Sequence, residues 1–388
     1  MRIITIARKP LSESNDTDGS GSAMSGFESL DLRASRPLRD SEEESRLVDI
    51  VFNSYRKAGF PYPPCPDIRK SFHRLQKTKV IFQMQKGLFT QSMVGLSLAN
   101  SYHRQMVSVR CRNFNTPLEV FEDDSLLKEA ILKRIRYGDH LKPWGLRKSI
   151  YSMRRTQRVS NFRPTVARDL FSFFKPSLIV DPCMGWGGRM LGAMAGGYTY
   201  VGIDPNEIAV RNNLQMLSDI QGVVLEPFNV QGVVGCAEDL LGKSIWNPDL
   251  VMTSPPYFDV EKYTNEPTQS YIRFPTEMEW YEGFLRSLIR GSYQDLMSGG
   301  FLVLNVNADM VERTKKISKE EGFIFHRTWG MLLSQHQFNK STGGTYKTEP
   351  ILVFGKGSGS VLRLQRLEKN WTQNRQGWSI FDLFGIDE

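Results

Sequence analysis

The sequence is poor in the residues that build metal, disulfide and membrane chemistry. Among 388 residues there are four cysteines, Cys65, Cys111, Cys183 and Cys236, and no two of them form a CxxC pair. That spacing argues against a zinc ribbon or a disulfide framework and fits reduced thiols. The five histidines include no HExxH arrangement, so no metal site is expected. No apolar run reaches the roughly 18 residues that a membrane helix needs. The opening MRIITIARKPLSES has no long apolar core followed by a small-residue cleavage site, so a cytoplasmic chain is expected rather than a secreted one. GxGxxG and the full P-loop GxxxxGK[ST] are also missing, since the GKS at 242–244 has Ala237 where the first glycine would stand, which disfavours a dinucleotide or a nucleoside triphosphate as ligand.

What is present is ordinary for a globular chain, 40% hydrophobic and 24% charged, at a length that suits two domains. The charge is unevenly placed. Residues 1–160 hold 28 Lys+Arg against 17 Asp+Glu, a balance of +11, and the remainder holds 22 against 25, a balance of −3. A basic first part joined to a near-neutral second part suits an anionic partner held by the one and chemistry done by the other.

Residues 1–25 are expected to be flexible, because 10–25 (PLSESNDTDGSGSAMS) is nearly devoid of bulky apolar side chains. Residues 26–155 read as a basic, mainly helical domain and the candidate nucleic-acid-recognition part. Helices are expected over 38–58, capped by Asp40 or Ser41, and over 123–137, with a Pro-rich connector after the first. From about residue 156 to 357 short apolar strands alternate with helical stretches, which predicts an α/β domain on a mostly parallel sheet with both faces covered. The last two strands lack a helix between them, so one of them should run antiparallel. Residues 358–388 read as an extension that packs back through Trp371, Trp378, Phe381 and Phe384.

Two acids end the first two strands of that domain, Asp181 and Asp204, and the turn after the first carries Gly185, Gly187 and Gly188. Glycines there let backbone N–H groups approach a ligand closely, and an acid at the second strand end can accept both hydroxyls of a ribose. Two neighbouring acids are hostile to phosphate and suit a cation bearing an amino group, such as S-adenosylmethionine. After the fourth strand comes TSPPYF (253–258). Its prolines have fixed φ and no N–H, which makes a rigid turn with carbonyls directed at a ligand. Ser254 and the Pro255 carbonyl can accept hydrogen bonds from an exocyclic amine, Pro256 completes the turn, and Tyr257 offers a stacking face to a planar base. Accepting the amine hydrogens aims a delocalised lone pair at an electrophilic methyl, which is catalysis by positioning.

In this order, DPCMGWGG, GIDPN, GCAEDL and TSPPYF resemble a Rossmann-like class I S-adenosylmethionine-dependent methyltransferase with a seven-stranded sheet. More narrowly they resemble the exocyclic-amine DNA methyltransferases that make N4-methylcytosine or N6-methyladenine. The resemblance implies that the glycine turn (Asp181, Cys183, Gly185, Gly187) holds the methionine part of the cofactor and Asp204 its ribose. Glu238 or Asp239 would hold its adenine. NFRPTVARDLF (161–171) is similar to the motif that packs by the methionine moiety, here Phe162 and Pro164. It further implies that Ser254, Pro255, Pro256 and Tyr257 bind the target amine, with Ser254 more typical of the cytosine N4 enzymes. SPPYFDVEKYTNEPTQSY and KTEPILVF are also similar to methyltransferases of phages and bacteria, which suits a restriction-modification or phage setting.

The segment after residue 357 is too short for a target-recognition region, so that role falls on the basic part. Lys148, Arg154, Arg155 and Arg158 are the candidates to track phosphates beside the site. The expected partner is double-stranded DNA with the target base flipped out. The alternatives are the same chemistry on adenine N6, an RNA base methyltransferase, and a non-catalytic nucleic-acid-binding protein on the same scaffold. Cys183 reads as a packing cysteine in the cofactor turn, since an amine target needs no covalent step.

Overall fold

The structure is a computed structural model that describes residues 2–4, 41–137, 141–333 and 347–373. The 10–25 segment, Asp40, Trp378, Phe381 and Phe384 lie outside the described residues. Twelve strands are present among the described residues: β1 (Arg2–Ile4), β2 (Phe82–Gln83), β3 (Leu88–Phe89), β4 (Arg110–Cys111), β5 (Ile179–Asp181) and β6 (Tyr200–Asp204). They are followed by β7 (Val230–Val234), β8 (Leu250–Thr253), β9 (Glu261–Lys262), β10 (Phe301–Asn305), β11 (Phe323–Leu332) and β12 (Thr348–Lys356).

The expected α/β sheet forms in the order β7-β6-β5-β8-β10-β12-β11, with β12 antiparallel between β10 and β11. The other pairings in this run are parallel. Its strands alternate in the way a doubly covered sheet requires. Phe301, Val303, Ile351 and Val353 face the helices Pro164–Phe174, Gly188–Gly196 and Glu207–Gln221. Leu302, Leu304, Leu352 and Phe354 face the opposite layer, which contains Trp280, Leu288 and Ile317. The strand order reverses between β5 and β8, the place where open α/β sheets bind ligands beyond their carboxyl ends.

The expectation of seven strands is corrected by the two edges. β1 pairs antiparallel with β7, while β3 pairs parallel with β11 and carries β2 beyond it, giving ten strands in one sheet. The β2–β3 pair covers an edge that β11 would otherwise leave open. It is held by Phe82 stacked on Phe89 at 4.2 Å, with Trp329 of β11 against both.

The basic part divides in two. The helices Ser41–Ala58, Pro117–Glu122, Asp124–Arg136 and Pro143–Tyr151 bury a core of their own around Val51, Tyr55, Leu127, Ile131 and Ile150. Asp123 caps the third of these and a Thr116–Glu119 capping box starts the second. Residues 68–101 instead join the sheet: Phe72, Leu75 and Leu98 pack with Phe171 and Met190. A buried Arg168–Asp169 pair grips them. Asp169 Oδ2 accepts the N–H groups of Ile81 (2.6 Å) and Phe82 (3.2 Å), and Arg168 donates to the carbonyls of Leu75 (2.5 Å) and Thr78 (2.7 Å). The helix Gly359–Gln373 folds back on the sheet domain, with Leu364 in the core and Trp371 against Phe82 and Phe173.

Candidate active site

A cavity of about 320 Å³ opens beyond the carboxyl ends of β5, β6, β8 and β10. Gly185, Asp204, Glu238, Ser254 and Tyr257 all line it, so four motifs separated in sequence meet in one space. Phe162, Cys183, Pro255 and Pro256 line it as well. No group of three or more His, Cys, Asp or Glu side chains among the described residues is arranged to hold a metal.

The glycine turn is built by close approach. Gly185 and Gly187 have φ of +53° and +72°, and a Cβ on Gly187 would run into Asn213 Oδ1. A Cβ on Gly188 would run into the Phe162 carbonyl, so the helix start and the Phe162 segment pack without any side chain between them. Asn213 Nδ2 donates to the Gly185 carbonyl (2.8 Å), and His103 Nε2 bonds to Asn213 Oδ1 (2.9 Å), so the basic part reaches the turn. Burial holds the His103 imidazole at about 4, so it stays neutral near pH 7.

Asp204 accepts the N–H of Gly185 at Oδ2 and of Asn206 at Oδ1, both at 2.9 Å. Burial outweighs those bonds and pushes its carboxyl up to about 6. Asp181 stands differently from the expectation that it meets the ligand. It is fully buried and outside the cavity lining. Its carboxylate accepts Arg189 Nε (2.7 Å), Tyr200 OH (2.6 Å) and Thr253 Oγ1 (2.8 Å), plus the Cys183 N–H (3.3 Å). It is a strut that ties the ends of β5, β6 and β8 together. Pro164, Gly187 and Asp239 also lie outside the lining. Pro164 starts its helix, and Asp239 binds Arg273 at 2.9 and 3.0 Å. Glu238 lines the cavity and pairs with the same arginine at 2.5 Å. Burial pushes the Cys183 thiol well above its ordinary value, which keeps it an unreactive packing group.

The SPPY turn contains a contact that sequence reasoning missed. Tyr257 OH donates to Glu349 Oε1 at 2.8 Å and lies 3.4 Å from Ser254 Oγ. Glu349 is the second residue of β12, and because β12 runs antiparallel its first residues arrive at the edge where β8 and β10 end. Asn305 closes the group, donating to the Pro350 carbonyl at 3.0 Å. Burial and the Glu349 charge hold the Tyr257 phenol well above its ordinary value. The KTEPILVF stretch is visible in the sequence, but one Glu before a Pro reads as a strand boundary.

The opposite wall comes from the segment after the turn. Glu261 and Tyr263 hydrogen-bond each other and line the cavity, and β9 pairs antiparallel with β4 of the basic part. Trp186 fills the corner between His103 (5.4 Å) and Tyr263 (5.8 Å). The helix from Glu277 to Asp295 carries a π turn over Trp280–Leu285, which brings Phe284 to the cavity while Trp280 Nε1 donates to Ser270 Oγ (3.1 Å).

Lys148, Arg154, Arg155 and Arg158 are exposed and stand outside the cavity, on the run that enters it at Ser160. Arg158 lies over the Tyr151 ring at 4.8 Å. Arg155 is held at φ +59° and its carbonyl accepts the Asn115 N–H; Arg112, at φ +50°, is exposed on the same rim. No helix among the described residues is long and apolar enough to cross a membrane.

No family model matches the sequence, and no curated protein matches it. Among solved structures, the chain is similar to TrmN from Thermus thermophilus at 16% identity and a TM-score of 0.35, over 50% of this chain and 49% of that one. It is similar to a SAM-dependent O-methyltransferase from Thermotoga maritima at 14% identity and a TM-score of 0.36, over 51% and 67%. A methyltransferase from Pyrococcus furiosus matches at 13% identity and a TM-score of 0.34, over 49% and 83%. The match thus spans about half the length of the Thermus protein. At this level of likeness the chemistry has to be read from the chain's own residues.

Proposed function

We propose that the chain transfers a methyl group from S-adenosylmethionine to the exocyclic amine of a nucleic-acid base, cytosine N4 in flipped-out double-stranded DNA. The supporting observation is the single cavity that joins the glycine turn and Asp204 to Ser254–Tyr257. Its residues fit the cofactor: Gly185, with no Cβ at the cavity wall, for close backbone approach, a two-oxygen acceptor at Asp204 for a ribose diol, and Glu238 beyond it for the adenine. When bound, S-adenosylmethionine supplies an electrophilic methyl on a sulfonium.

The chain's own residues hold and orient the amine. A base leaves its stack to enter such a cavity, at a cost that binding must offset. The Ser254 hydroxyl and the Pro255 carbonyl accept the amine hydrogens, and Tyr257 flanks the ring. Phe162, Trp186 and Tyr263 exclude water. The basic rim at Lys148, Arg154, Arg155 and Arg158 takes phosphates, which positions the nucleic acid, and target recognition is placed on the basic part that leads into this rim. The choice of cytosine over adenine rests on the serine that heads the PPY triplet, following the family the motifs resemble.

Incubation with methyl-labelled S-adenosylmethionine and separate DNA and RNA pools, digested to nucleosides, tests this reading. N4-methylcytosine from the DNA pool is expected. N6-methyladenine alone would reverse the base assignment, label only in RNA would reverse the substrate, and label in neither would leave a binding protein.

A further inference from the structure

We infer that Glu349 is the terminal proton acceptor of the reaction, reached through the hydroxyls of Ser254 and Tyr257. The inference rests on the methyl-transfer reading above and adds a step that reading leaves open. As the N–C bond forms and the C–S bond breaks, the sulfonium becomes a neutral thioether and the amine nitrogen gains the positive charge. One N–H proton has to leave as that charge develops, so its acceptor enters the rate of transfer. An aliphatic hydroxyl and a carbonyl can orient that hydrogen, but neither retains a proton near neutral pH.

Four carboxylates line the cavity, and three are already engaged. Asp204 holds two backbone N–H groups at the cofactor end, Glu238 is paired with Arg273, and Glu261 is bonded to Tyr263. Glu349 is the one bonded to the catalytic turn. The geometry forms a line from Ser254 Oγ to Tyr257 OH, 3.4 Å, and on to Glu349 Oε1, 2.8 Å. A proton accepted at Ser254 displaces the Ser254 proton to Tyr257 and the Tyr257 proton to Glu349. The net change is one proton moved from the methylated amine to a carboxylate, with both hydroxyls restored.

The groups that face Glu349 are Tyr257 from the catalytic turn, Asn305 from β10, Arg163 before the Pro164–Phe174 helix, and Glu261 from the far wall. Burial raises its carboxyl above the ordinary range, while the Tyr257 bond, the Asn305 amide and the Arg163 charge pull the other way. A raised value strengthens the carboxylate as a base.

The test compares wild type with Glu349→Gln and Tyr257→Phe in single-turnover methyl transfer, with S-adenosylmethionine affinity measured alongside by calorimetry. Gln keeps an acceptor oxygen for the Tyr257 hydroxyl and cannot take a proton. Glu349→Gln should lower the transfer rate by about 10²-fold or more, general-base contributions being of that order, with cofactor affinity unchanged. The wild-type rate should rise with pH through the Glu349 value, and that acid limb should vanish in Glu349→Gln. Tyr257→Phe should fall similarly, and the double variant should be no worse than either single one. A Glu349→Gln rate within twofold of wild type with the same acid limb would overturn the inference and leave the functional reading standing. A readout independent of turnover is a ¹³C NMR titration of the carboxylates in the ligand-free protein, with the Glu349 signal identified by its loss in Glu349→Gln. A Glu349 carboxyl that stays protonated through neutral pH, and so has no capacity to accept a proton, would also overturn it. Absence of any methylation by wild type would instead overturn the functional reading itself.

Discussion

The two halves of the cavity are built on opposite plans. The half proposed for the cofactor is made from neighbouring strand ends and held by a buried charge: Asp181 alone accepts five hydrogen bonds from four residues, of β6, β8, the glycine turn and its helix. The substrate half is assembled from segments far apart in the chain, with Glu349 from β12 and β4 clamping β9. It also holds the non-glycine residues at positive φ that surround the site, Arg112, Arg155 and Phe258. Such conformations persist only where the surroundings impose them. The contrast teaches that one half is fixed by buried charge and the other by long-range contacts, so damage to each should have a different signature.

The largest expected effect lies in the first half. Arg189→Leu removes the cation from a fully buried pair and leaves the Asp181 carboxylate with neutral donors only. Breaking such a pair from one side costs about 3–5 kcal/mol, so the denaturant midpoint should fall sharply. A midpoint close to wild type would mean that Tyr200 and Thr253 alone satisfy Asp181, and that the internal strut is less rigid than described.

In the second half the effect should be on rate and not on stability. Ser254→Ala removes an orienting hydroxyl and the first link to Glu349, so the transfer rate should fall by about a hundred-fold or more. The unfolding midpoint and S-adenosylmethionine affinity should stay put. Equal loss of cofactor affinity and rate would erase the distinction between the halves.

Legibility in the sequence follows the same division. The strands β5, β6, β8 and β10 and their helices are readable because apolar runs and strand-end acids are local signals. The edge strands are not, because two-residue strands such as Phe82–Gln83 are too short to carry a period. Asp169 reads as one more acid on a helix, and only tertiary packing turns it into the acceptor for Ile81 and Phe82. The SPPY turn is legible as a motif, but its partner Glu349 lies 92 residues away in sequence. The Trp280–Leu285 π turn leaves no trace in a pattern of helical spacing. Asp181 is legible as a site residue and misread as a ligand group, since a motif reveals placement without saying which way the carboxylate is spent.

A pH series sharpens the account of the cofactor half. Asp204 should accept ribose hydroxyls with both oxygens only when ionised, and its carboxyl is pushed up to about 6. Lowering the pH through that value converts one oxygen into a donor, so cofactor affinity should be level above about pH 7 and fall below about pH 6. The slope should disappear in Asp204→Asn, whose affinity is low throughout. Calorimetry across that range decides it, and a flat wild-type profile would place the ribose elsewhere.

The smallest effect per residue belongs to the rim, where the interaction is electrostatic and solvent-screened. Lys148, Arg154, Arg155 and Arg158 are exposed, so replacing any one with Ala should change stability by no more than about 0.5 kcal/mol. Each side chain that neutralises a phosphate should, once replaced, reduce the slope of log affinity against log salt by about 0.9 on duplex DNA. Arg158 should matter most among them, since its stacking on Tyr151 fixes the guanidinium and lowers the entropy cost of binding. Fluorescence anisotropy with a labelled duplex at several salt concentrations reads this directly. A slope unchanged after Arg154, Arg155 and Arg158 are replaced together would show that the nucleic acid approaches from another face, and the role given to the basic part before residue 155 would have to move with it.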